Sequence, residues 1–123
     1  MMKILSVDHI QLAMPAGEEE RARKFYADVL GMREIPKPPE LAKHGGLWLQ
    51  AGDVQLHLGI QADFHPARKA HPGFIIDDLE AFIARILESG HAVDSSQPAL
   101  DGYKRAHVFD PFGNRIELME KLG

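Results

Sequence analysis

No cysteine occurs anywhere in the 123 residues, which removes disulfides, thiolate metal sites and cysteine nucleophiles together. A long apolar run is missing too. The opening stretch MMKILSVDHIQLAM reaches Asp8 and His9 before it could serve as a signal peptide, and no later segment approaches the length of a membrane span. Charge of one sign is also lacking. Fourteen Lys and Arg against 18 Asp and Glu leave a formal net charge of −4, and the one tight basic group, Arg21, Arg23 and Lys24, reads as a solvated helix face. These absences argue against nucleic-acid and membrane partners and make the cytoplasm the expected compartment.

What is present, 45% hydrophobic and 26% charged residues, is ordinary for a globular chain, and the length predicts one domain over residues 1–123. A domain this short buries a modest fraction of its surface. Any enclosed cavity is therefore expected to borrow a wall from a second subunit, which points to a homodimer.

Residues Leu5 to Met14 alternate, with Ile10, Leu12 and Met14 on one face and Val7, His9, Gln11 and Ala13 on the other, as a half-buried strand does. After Pro15 and Gly17 the acidic run Glu18 to Glu20 suits a helix N-terminus, and Ala22, Phe25, Tyr26, Val29 and Leu30 form a helical stripe that Gly31 ends. A short strand Met32 to Ile35, a Pro/Gly loop KPPELAKHGG from Lys37, and strands Leu47 to Ala51 and Val54 to Ile60 turning at Gly52 and Asp53 follow. The polar stretch Gln61 to Ala70 then gives way to the same order again: strand His71 to Ile76, helix Asp78 to Ser89, and strands near His91 to Ser95, Lys104 to Asp110 and Arg115 to Glu120. Leu79, Phe82, Ile83, Ile86 and Leu87 make the second stripe, Asp77 with Glu80 resembles a capping box, and Gly90 ends the helix. The expected fold is α+β: two βαβββ modules, about residues 4–60 and 70–121, whose curved mixed sheets enclose a cavity with the helices on the outer face.

Strand alternation sorts the residues by face. Ile10, Leu12, Val54, Leu56, Leu58, Phe74, Ile76, Ala106, Val108, Ile116 and Leu118 belong to the helix side. The cavity side receives His9, Gln11, Gln55, His57, His71, Gly73, Arg105, His107, Arg115, Glu117 and Met119. His9 and His57 in the first half, and His71 and Glu117 in the second, thus fall at matched places of the repeat. Three neutral imidazoles and one carboxylate suit zinc, iron, nickel, cobalt or manganese better than calcium. Taken alone, each histidine reads more readily as a half-buried polar strand residue than as a ligand, and Glu117 as a rim carboxylate; it is their joint placement that points to a metal. His44, His65 and His91 fall in loops or at a strand edge, where exposure is expected.

DHIQL at Asp8, KFYADVLGM at Lys24, HPGFIIDDL at His71 and DPFGNRIELME at Asp110 resemble the glyoxalase/bleomycin-resistance/dioxygenase (vicinal oxygen chelate) superfamily, over nearly the whole chain. The resemblance implies metal ligands at His9, His57, His71 and Glu117, and dimers in which one subunit's His9 and His57 meet His71 and Glu117 of the other. It also implies turn roles for Asp110 and Gly113, and a metal that stabilises an oxyanion as it forms, at a site of about +1 net charge. On that reading Glu117 or His107 moves a proton, and Gln11, Gln55, Arg105, Arg115 and Trp48 contact substrate; surface or interface roles stay open for Arg105, Arg115 and His107. The implied activity is a divalent-metal lyase or isomerase of glyoxalase type. His57 departs from the carboxylate that glyoxalase I has there, and Gln11 departs from the threonine of fosfomycin thiol transferases. Extradiol dioxygenases are mostly about twice this length. The competing class is a metal-free drug or metabolite binder of bleomycin-binding type, with Trp48, Phe109 and Tyr103 as groove aromatics.

Overall fold

A computed structural model describes residues 1–123. The first module contains β1 (Ile10–Met14), α1 (Glu19–Arg23) with a π-helical continuation over Lys24–Val29, β2 (Arg33–Ile35), the single turn α2 (Pro39–Ala42), β3 (Leu47–Ala51) and β4 (Val54–Ile60). The second contains β5 (Gly73–Ile75), α3 (Leu79–Glu88), β6 (Val93–Asp94), β7 (Tyr103–Phe109) and β8 (Arg115–Lys121). Each module builds its own four-stranded sheet, in the orders β1-β4-β3-β2 and β5-β8-β7-β6. In both, the first strand runs parallel to the last and the other pairings are antiparallel, so the sheets are mixed as expected. The two sheets do not close into a barrel, and no helix is long and apolar enough to cross a membrane.

The face assignment holds strand by strand. Leu56, Leu58, Ala106, Val108, Ile116 and Leu118 are buried in one core that also takes Ala22, Phe25, Tyr26 and Val29 from the first helix and Leu79 and Ile86 from α3. Ile10, Leu12, Val54, Phe74 and Ile76 pack against its margin. The two helices also touch each other, since Arg85 Nη1 donates to Val29 O at 3.2 Å and the Phe25 ring meets His91 edge-on at 4.8 Å. His91 is thus half-buried rather than exposed.

Several boundaries differ from expectation, each for a physical reason. The first strand begins at Ile10 and not Leu5, because β1 is an edge strand whose one neighbour, β4, starts only at Val54, opposite the residues just before Ile10. Ile4, Leu5 and Val7 are left exposed. The first helical stripe is α-helical only to Arg23; bonds such as Leu30 N to Phe25 O (2.9 Å) wind the rest one residue wider, and Gly31 at φ +78 ends it. The N-cap of α3 is Asp78, not Asp77: its backbone is extended and its side chain accepts from Ala81 N at 3.1 Å, while Leu79 N donates to Glu120 Oε1 at 2.8 Å. Within the Pro/Gly loop, Lys37 Nζ donates to Gly45 O and Gly46 N donates to Glu19 Oε2 at 3.0 Å. A side chain at Gly46 would run into Leu58 O.

The turn between β7 and β8 ties the modules together. Asp110, 4% exposed, accepts at Oδ1 from Phe112 N (2.9 Å) and Asn114 N (2.8 Å), and at Oδ2 from Tyr26 Oη (2.7 Å) and Asn114 Nδ2 (2.9 Å). Asn114 Nδ2 also donates to Ala13 O of β1 at 2.8 Å. A buried carboxylate with four donors stabilises only while all four are matched. Tyr26→Phe should therefore cost about 1.5 kcal/mol and Asp110→Ala on the order of 3 kcal/mol or more in urea unfolding; a loss under about 1 kcal/mol for Asp110→Ala would contradict this account of the turn.

Candidate metal centre

Glu117 lies at the middle of β8, facing Gly73 of β5 on one side and His107 of β7 on the other. Directly opposed residues of neighbouring strands hold their Cβ atoms about 4.5–5.5 Å apart, so the register alone brings His107 against Glu117. His71 enters two residues ahead of β5, where Pro72 O takes the hydrogen bond of Glu117 N at 2.9 Å and anchors the approach. One ligand atom from each of His71, His107 and Glu117 lies within 4.8 Å of the others. His71 Nε2 is 3.3 Å and His107 Nε2 3.8 Å from the same oxygen, Glu117 Oε1. Neighbouring ligands on an ion with bonds of about 2.1 Å sit about 3.0–3.4 Å apart, so a small inward movement suffices.

The protonation states also fit an ion. His71 Nδ1 lies 2.6 Å from Lys69 O, a carbonyl that can only accept, so Nδ1 carries a hydrogen and Nε2 is the nitrogen turned toward Glu117, 3.3 Å from Oε1. A backbone carbonyl holding the far nitrogen in this way is what metal-bound imidazoles usually have. Burial pushes the His107 pKa below its ordinary 6.5 against the pull of Glu117, which favours the neutral ring. His107 is 3% exposed, and its Nδ1 has no hydrogen-bond partner. Burial raises the Glu117 carboxyl, but hydrogen bonds from Arg105 and His71 outweigh it and hold the group below the ordinary 4.5, hence ionised. Neutral imidazole with ionised carboxylate is the combination a divalent transition ion requires.

The other expected ligands lie elsewhere in the chain. His9, just ahead of β1, and His57 of β4 belong to the first module, where His57 is sandwiched: its ring centroid is 4.0 Å from that of His9 on one side and 4.0 Å from that of Trp48 on the other, with interplanar angles of 15° and 4°. His57 Nε2 lies 3.2 Å from Gln55 Oε1, and His9 Nδ1 3.0 Å from Asp8 Oδ2. Gln11, Gln55, Trp48, His9 and His57 share a cavity of about 700 Å³ with Lys37 and the exposed His44. A second cavity, of about 490 Å³, joins Gln11 to His71. Of the two arginines, Arg105 bonds to Glu117, whereas Arg115 is half-buried at the start of β8 opposite Phe109. His65 is exposed.

Register shows why the two halves differ. Gln11 pairs with His57 as Gly73 pairs with Glu117, and Trp48 pairs with His57 as His107 pairs with Glu117. Trp48 and His107 are therefore equivalent, and the first module holds His, Trp and His where the second holds His, His and Glu. The sequence had placed His107 on the cavity side as an acid or base. Its closeness to the carboxylate was legible there as well, had the two hairpins been aligned on their turns.

A family model described as Glyoxalase/Bleomycin resistance protein/Dioxygenase superfamily matches residues 6–118. No curated protein matches the chain. Among solved structures, a Bacillus anthracis protein assigned to the glyoxalase family is 43% identical, with a TM-score of 0.92 over 99% of each chain. TnmS3, an antibiotic binding protein from Streptomyces sp. CB03234, is 27% identical, with a TM-score of 0.74 over 99% of this chain and 100% of its own. The fosfomycin resistance protein FosX of Listeria monocytogenes, 16% identical, shares the fold at a TM-score of 0.73 over 100% of this chain and 94% of its own.

Burial, followed by the neighbouring His9, also holds His57 below 6.5. With His57 and His107 both depressed, the unfolded chain takes up protons on them before the folded chain does. Stability should therefore be full above about pH 6.5 and fall as the pH drops through that value toward the folded pKa values, with Glu117 adding a further loss only below its ordinary 4.5. Urea midpoints should drop between about pH 7.5 and 5.5, and less so in His57→Gln; equal drops in the two proteins would contradict the assignment.

Proposed function

The chain belongs to the glyoxalase/bleomycin resistance protein/dioxygenase superfamily, and from that membership we propose that it is a divalent-metal enzyme of glyoxalase-like lyase or isomerase type, acting on a small substrate that presents neighbouring oxygens. The single observation that carries this reading is the convergence of His71, His107 and Glu117 on one point. Those three residues would hold the ion. When bound, it supplies Lewis acidity, stabilising negative charge on a substrate oxygen.

The chain's own groups have separable tasks in this reading. Glu117, kept ionised by its hydrogen bonds, contributes charge and is a weak base. With His71 and His107 committed to the ion, proton handling falls to His57, an imidazole that burial keeps neutral. Gln11 and Gln55 offer amide donors and acceptors along the first cavity, and Trp48 an apolar wall. His9 and His57 lie in the other module; a homodimer of the kind the family resemblance implies would set them against the second module of a partner copy.

A second reading, a metal-free binder of a drug or metabolite, is favoured by the His9–His57–Trp48 stack beside its cavity and by likeness to an antibiotic binding protein. Metal content separates the two. Tag-free protein should carry near-stoichiometric divalent metal, His71→Ala and Glu117→Ala should lose most of it, and a hundredfold excess of ion over its Kd should stabilise the wild type by about 2.7 kcal/mol. Metal-free protein that no divalent ion stabilises would favour the binder.

A further inference from the structure

Arg105 stands on the cavity face of β7, two residues before His107, and each of its three guanidinium nitrogens donates a hydrogen bond. Nη1 donates to Glu117 Oε2 at 3.0 Å, while Nε and Nη2 both donate to Pro98 O, at 3.2 and 2.7 Å. The other carboxylate oxygen, Oε1, is the one that faces the imidazoles. The two oxygens of Glu117 are thus divided between two kinds of partner. Pro98 O fixes the plane of the guanidinium from behind, so the donor aimed at Oε2 has little freedom to turn away.

We propose, resting on the metal reading above, that Arg105 is a positioning residue that reserves Oε2 and so presents Glu117 to the ion through Oε1 alone. A carboxylate with both oxygens free can take two coordination positions, and one whose second oxygen is bound to a guanidinium takes one. The position left open belongs to the substrate, and a substrate that binds through two neighbouring oxygens needs two open positions. Arg105 therefore sets how many substrate atoms the centre accepts. Two effects of the guanidinium on the ion oppose each other: its charge repels a cation, and its hydrogen bond holds the ligand in place. Orientation wins here, because Glu117 is already turned toward both imidazoles and removal of such supporting partners generally weakens metal binding by about 10–100-fold. Lysine cannot replace the fork, since one ammonium on a flexible stem does not fix a plane against Pro98 O while holding Oε2.

The test is a titration of tag-free wild type, Arg105→Ala and Arg105→Lys with Co²⁺, read as Kd and as the visible absorption of the bound ion, with the thermal midpoint of the metal-free proteins as a folding control. Arg105→Ala should bind Co²⁺ about 10–100-fold more weakly and show altered visible bands as the second carboxylate oxygen joins the ion, and Arg105→Lys should recover only part of the affinity. Should the alanine variant not fold, the lysine variant carries the same comparison. Binding as tight as wild type or tighter, or weaker binding with an unchanged spectrum, would overturn the role of Arg105 while leaving the metal centre standing. Failure of the wild type itself to take up Co²⁺ would overturn both.

Discussion

β8 lies between β5 and β7, and its pairing of Glu117 with Gly73 on one side and His107 on the other decides what the centre is made of. Because side chains alternate, a slip of one residue would send Glu117 into the helix-side core and bring Ile116 or Leu118 to the cavity. The turn from Asp110 to Asn114 holds that register. Asp110 gathers donors from the turn itself and from Tyr26 of the first helix, and Asn114 reaches the backbone of β1. One buried carboxylate thus sets the start of β8 and joins the two modules, so the site's geometry and the fold's stability depend on the same few hydrogen bonds.

The repeat makes the centre intelligible as one of two sites at equivalent register. In the second module, cross-strand neighbours are an imidazole and a carboxylate, whose interaction is electrostatic and leaves lone pairs pointing at a common place. In the first, the same positions carry Trp48 and His57, which stack face to face, and His9 covers the other face of the His57 ring. The same backbone therefore offers a donor cluster on one side and a ring-lined cavity of about 700 Å³ on the other. That division suits a protein that holds an ion with one half and a small organic molecule with the other.

Much of this was legible in the sequence. Period-two alternation put the strand residues it sorted on the correct side, though it left Leu47 and Leu49 of β3 unassigned, and the edges of β3 and β4 follow from the Gly52–Asp53 turn. What escaped depended on partners distant in sequence. The first strand is shortened because β4 has not yet begun beside Leu5, a fact of pairing rather than of local pattern. The π-helical winding after Arg23 shows only in bonds such as Leu30 N to Phe25 O, and Asp78 takes the cap through a bond from Ala81 N that the pattern Asp77 to Glu80 had obscured. At the site, composition and face placed the histidines and Glu117 on the cavity side, but face does not tell which neighbours meet. Hairpin register does, and it groups His107 with His71 and Glu117 and leaves His9 with His57 and Trp48. The engagement of Arg105 with Pro98 and Glu117 depends on a loop conformation that no spacing encodes.

The central claim is that an ion sits where His71, His107 and Glu117 converge. It is tested most directly by anomalous diffraction from crystals grown with Co²⁺ or Ni²⁺. The account predicts one strong peak per chain within about 2.0–2.3 Å of His71 Nε2 and Glu117 Oε1, with His107 turned toward it. Peaks confined to exposed histidines such as His44 or His65, with His71 still bonded to an ion-free Glu117, would contradict it.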